Sequence, residues 1–102
     1  MALETTRWDA AEHLATAEAI AAYLDAALED GDPKLVAAAL GDAARARGMT
    51  VLSRETGLSR ESLYRALSSE GNPELATVLK VLRAFGVRLE ARAALNKEAA
   101  DL

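Results

Sequence analysis

Apolar residues recur at Ile20, Leu24, Ala27 and Leu28, the spacing of one face of a helix, with Thr16 placed to cap its start and the Asp30-Gly31-Asp32 turn to end it. Ahead of that helix, Asp9 and Glu12 stand three apart in the manner of a capping pair, which predicts a short helix over about Ala10–Leu14. Asp32 then caps a further helix with Pro33 at its first position, where the missing N–H costs nothing. Val36, Ala39, Leu40 and Ala43 form its apolar face. It is expected to end near Gly48, with Arg45 and Arg47 in the last turn, where the helix dipole favours cations.

Beyond Gly48 the chain is cut into short pieces by Thr50, Gly57, Ser59, Gly71, Asn72 and Pro73, a spacing suited to short helices. Pro73 is expected to open a helix with Leu75, Val78, Leu79 and Leu82 on one face, and Gly86 to close it after Phe85. Val87 to Ala91 alternate apolar and charged residues at period two. That pattern predicts a short C-terminal edge strand able to pair with a second copy, and the same five residues also fit an extended tail. The fold class is therefore all-α: five to six short helices with a central helix-turn-helix and a short edge strand.

The stretch from Thr50 to Leu67 gives a physical reason for each position of a helix-turn-helix. Thr50 is placed to cap the first helix, Leu52 to face the core, and Ser53 is small enough for a second helix to cross closely. Gly57 suits the left-handed backbone of the corner, Leu58 fills the angle, and Ser59 caps the second helix. Leu63 and Leu67, four apart, hold that helix inward, leaving Arg60, Glu61, Tyr64 and Arg65 outward. Such a face suits the major groove of DNA, where arginine reads guanine edges and hydroxyls meet phosphates. The candidate DNA-binding residues are Thr50, Arg54, Ser59, Arg60, Glu61, Ser62, Tyr64, Arg65 and Asn72.

Charge sharpens this picture. The chain has 102 residues and a net charge of −4, which taken alone disfavours a polyanion partner. The charge is uneven, however: residues 1–42 carry −7, residues 43–92 carry +4 and residues 93–102 carry −1. A basic portion facing a polyanion and an acidic portion facing water or a basic protein fit that asymmetry. The length suits one compact domain, in which 1–42 is the acidic helical segment, 43–92 the helix-turn-helix region and 93–102 a flexible alanine-rich tail.

With no cysteine, neither a disulfide framework nor a thiolate metal site can form, and no stretch is long and uncharged enough to span a membrane. A cytoplasmic protein is expected, without cofactor or metal. Trp8, ahead of a predicted cap, is read as a staple on the core or as an anchor for a partner. His13 is the only histidine and has no second ligand at helical spacing. The acids of the early helices sit among alanines with no nucleophile or base beside them, so no enzyme mechanism can be assembled.

Several runs also carry a family likeness: Gly41-Asp42-Ala-Ala-Arg-Ala-Arg-Gly48-Met-Thr50, then Arg54-Glu-Thr-Gly-Leu-Ser-Arg-Glu-Ser-Leu-Tyr-Arg-Ala-Leu-Ser68, Gly71-Asn72-Pro73 and Thr77-Val-Leu-Lys-Val-Leu82. With Trp8-Asp9-Ala10-Ala11-Glu12 and Ile20-Ala-Ala-Tyr-Leu24, they make the chain resemble the addiction-module antidote proteins over about residues 7 to 92. The likeness is to HigA-like antitoxins, within the phage-repressor-like (lambda-repressor-like) helix-turn-helix superfamily. It implies an antitoxin that neutralises a co-expressed toxin of the RelE/ParE type, for which residues 1–42 are the candidate binding segment. It also implies repression of its own operon by a homodimer on a palindromic operator in double-stranded DNA. Val51 and Ser53 depart from the superfamily's usual glutamine and alanine, and the lost glutamine removes a customary DNA contact. The alternative is a stand-alone helix-turn-helix regulator without a toxin.

Overall fold

The computed structural model describes residues 14–94, which form five α-helices: α1 (Ala17–Asp30), α2 (Pro33–Arg47), α3 (Met49–Thr56), α4 (Arg60–Ala66) and α5 (Leu75–Phe85). The class is all-α, as the sequence pattern requires. Leu14, at the start of this range, is buried; the rest of the helix expected over Ala10–Leu14, together with Trp8 and His13, lies outside the described residues.

The first two helices start and stop on local chemistry. The Thr16 side chain accepts the Ala19 N–H at 3.1 Å, and the Asp32 carboxylate accepts the Lys34 N–H at 2.9 Å, with Pro33 in the first turn behind it. Ile20, Leu24 and Ala27 of α1 are buried against α2, whose own buried face is made of Ala37, Ala39, Leu40, Gly41, Ala43 and Ala44. Small side chains let the neighbours of α2 come close. The extreme is Gly41, where a Cβ would lie 2.1 Å from the Leu67 carbonyl oxygen, so only glycine fits that crossing.

One apolar cluster runs from Leu14 through α1 and α2 to Leu52, Leu63, Leu67, Val81, Leu82 and Phe85. Leu40, Leu52, Leu63, Leu67 and Val81 are its largest fully buried side chains, so each helix from α2 to α4 sends a leucine to the same centre, with α4's second one at its C-cap.

The structure corrects three expectations. Thr50 caps nothing: α3 already begins at Met49, Gly48 is its N-cap without a side-chain bond, and Thr50 is an exposed residue of the first turn. The left-handed Gly48 links α2 to α3 so directly that no capping residue fits between them. Nor does Pro73 open the last helix; α5 starts two residues later, with Glu74 as N-cap.

The apolar face of α5 is only partly covered. Its buried side is Val81, Leu82 and Phe85 with Val78 half-buried, while Leu75 and Leu79 are 65% and 47% exposed. Helical spacing gave a stripe wider than the core it meets. Finally, Val87 to Ala91 form no strand, and residues 87–94 have no regular secondary structure. A strand needs a neighbouring chain to bond to, and a single copy supplies none here.

Candidate nucleic-acid interface

The corner between α3 and α4 is closed by hydrogen bonds from residues only a few positions apart. Gly57 stands at φ 78°, a left-handed turn that side chains disfavour, and its N–H reaches the Ser53 carbonyl at 2.9 Å. The Thr56 hydroxyl donates to the Leu52 carbonyl at 2.8 Å and accepts the Leu58 N–H at 3.2 Å. The Ser53 hydroxyl donates to the Leu58 carbonyl, tying α3 to the far side of the turn. Backbone groups that a turn would leave to water are thus paired within the corner, which holds the entry angle of α4.

Ser59 then starts α4. Its hydroxyl oxygen accepts the Ser62 N–H at 3.0 Å, and its proton goes to the Ser62 hydroxyl at 2.9 Å. Leu63 is fully buried and Leu58 half-buried, so the inner side of α4 and the corner are anchored in the core.

The outer side carries Arg60, Glu61, Tyr64 and Arg65 at positions i, i+1, i+4 and i+5, all exposed, with Tyr64 at 45%. Among the described residues no ion pair engages Arg60, Arg65 or Arg54. Thr50 and Arg54, one turn apart on α3, are exposed as well. Asn72 is exposed in the connection to α5, three residues before that helix begins.

Three other arginines of the basic half are occupied, Arg92 by Glu90 at 3.7 Å. Arg47 meets both carboxylate oxygens of Glu55 at 3.1 Å, linking the end of α2 to α3. Arg45 meets Asp42 at 2.8 Å, and the other Asp42 oxygen accepts the Tyr23 hydroxyl from α1. Partial burial, the bond to Asp42 and the Asp42 charge push the Tyr23 hydroxyl up to about 12, with Arg45 acting the other way. This contact joins α1 to α2 and was not foreseen. The available signal was an aspartate in the middle of an alanine-rich helix, where aspartate is a poor helix former and so invites the question of what it bonds.

The described residues contain no group of three or more His, Asp or Glu side chains able to hold a metal ion, and no helix long and apolar enough to cross a membrane. Fold and surface together define a small all-α protein that turns a closed corner and, among the described residues, exposes guanidinium groups without ion pairs on the helix beyond it. Residues 4–93 match the family described as probable addiction module antidote protein, and the chain belongs to that family. It is also similar to an uncharacterised protein of Haemophilus influenzae, 47% identical over 83 residues that cover 81% of this chain and 86% of that one. No solved structure matches it. Membership implies the role of an antidote, and with it a toxin partner.

Proposed function

We propose that this chain is an antitoxin and autorepressor in which α3, the Gly57 corner and α4 act as a DNA-binding helix-turn-helix. Two copies bind a palindromic operator, and α4 of each enters the major groove. The observation that carries this reading is the placing of Arg60 and Arg65, exposed and without ion pairs among the described residues, on a helix whose opposite side is sealed by a fully buried Leu63. Guanidinium groups held at fixed positions can donate pairwise to guanine edges, while Thr50, Arg54, Ser62, Tyr64 and Asn72 are available to phosphates or thymine methyls. Glu61 stands among them as a potential acceptor from cytosine. Ser59 serves by setting the start of α4.

The acidic helix α1 is the proposed seat of a small basic toxin of the RelE/ParE type. Its fourteen residues include Glu18, Asp25, Glu29 and Asp30, all exposed, and no basic residue. A cationic RNA-cleaving surface would be drawn to it and covered by it.

The test is a gel-shift series on the chain's own upstream DNA at several salt concentrations. Replacing Arg60 and Arg65 together by alanine should remove the shift while the helical signal stays, each lost base contact costing roughly 1 to 3 kcal/mol. An operator shift unchanged in that double variant ends the DNA reading of α4. Co-expression with the adjacent reading frame tests the toxin: co-purification and growth rescue are expected. A chain that shifts its operator but has no such neighbour is instead a stand-alone regulator.

A further inference from the structure

A groove of about 620 Å³ opens between α1, the first half of α2, α5 and the segment after Gly86. Its apolar lining includes Leu24, Leu40 and Leu82 from the core, with Val36 and Val78 half-buried beside them. Leu28 and Leu89 belong to the same lining, yet each is 47% exposed. On α5 the apolar surface continues past Val78 to Leu79 and, one turn earlier, to Leu75. Two of the seven large apolar side chains left exposed among the described residues thus line one groove and two more stand on the helix that contributes Val78 and Leu82 to it, and such grouping marks an interaction surface where single scattered leucines would not.

The charges in the groove's walls indicate what covers it. The α1 wall contributes Asp25, on a helix with acids and no base. The segment after Gly86 contributes Arg88 and Arg92, with Glu90 at 3.7 Å from Arg92. A basic protein would be drawn to one wall and repelled by the other. A second copy of the same surface, turned about a twofold axis, sets each acidic wall against the other's basic one.

We infer that this groove is the surface on which a second copy of the chain docks, forming an isologous dimer through Leu28, Leu75, Leu79 and Leu89 with Asp25 and Arg88 facing across the axis. The inference deepens the two-copy reading above by assigning its interface. None of the groove's lining comes from α3 or α4, so Arg60 and Arg65 stay uncovered in the dimer. On α1, Glu18 and Glu29 lie outside the lining but on the same face as Asp25, so a second copy and a basic toxin would meet neighbouring parts of one acidic stripe.

Sedimentation of the full chain across a micromolar concentration series tests this without DNA or toxin. The chain should sediment as a dimer, and Leu79→Glu and Leu89→Glu should each raise the dimer dissociation constant roughly tenfold or more, because each places a carboxylate in an apolar contact. Both leucines are surface residues of the single copy, so the helical signal should not change. Asp25→Arg and Arg88→Asp should each weaken the dimer, and the two together should restore part of it. A wild-type chain that sediments as a monomer overturns the inference, even if a toxin later proves to fill the groove. Dimers unaffected by both glutamate substitutions also overturn it, while leaving the operator-binding role of α4 to its own gel-shift test.

Discussion

The α3–α4 corner and the α1–α2 pair are built on different principles. The corner consists of helices of eight and seven residues, too short to be stable alone, and each is fixed by hydroxyl groups acting on nearby backbone and by a fully buried leucine. The α1–α2 pair consists of helices of fourteen and fifteen residues, capped only at their starts by side chains and packed through alanines. Its main polar tie is the long-range bond from Tyr23 to Asp42. Rigid local closure suits a surface that must present side chains at set positions. A thin, alanine-rich contact flanked by exposed leucines suits a surface completed by another protein. The charges divide the same way, with unpaired arginines at the corner and acids on α1.

The strongest way to break this contrast is at the joint of the two regions. Gly41 of α2 touches the backbone at the end of α4, so Gly41→Ala should cost about 3 kcal/mol by urea denaturation, since a Cβ there forces two helices apart. A variant as stable as wild type would show that the regions do not depend on that close approach. Within the corner, Ser59→Ala removes the cap of α4 and should cost about 1 kcal/mol in the same measurement.

The smallest effect is expected on the acidic side. Tyr23→Phe should lose about 1 kcal/mol or less at neutral pH, where a half-exposed hydroxyl is bonded to a carboxylate. Because the folded protein raises the Tyr23 hydroxyl from 10.0 to about 12, its contribution is complete below pH 10 and fades as pH rises through 12. The stability gap between wild type and Tyr23→Phe should therefore close across that window. A gap constant with pH would detach the hydroxyl from Asp42.

The features legible from the sequence are those governed by residues three or four apart. Thr16, Asp32 and Ser59 cap the helices they were expected to cap, Gly57 turns the corner, and Leu63 and Leu67 face the core. Thr50 failed as a cap because Gly48 ends one helix and begins the next, leaving the threonine inside α3. Leu75 and Leu79 of α5 stay exposed on its apolar face, because a stripe of apolar residues does not say which of its flanks meets a neighbour. The pattern at Val87–Ala91 could not produce a strand without a partner to pair with.

By itself, the order of residues determined where helices begin and turn, and that Arg60 and Arg65 share a helix with an inward leucine, because capping, left-handed glycine and helical period act over a single turn. Only the tertiary structure decided that Gly41 must admit the Leu67 carbonyl, that Asp42 holds Tyr23, and that Leu28 and Leu89 remain exposed in the lining of one groove. Those depend on which helices meet and how closely, a matter settled by packing between positions far apart in the chain.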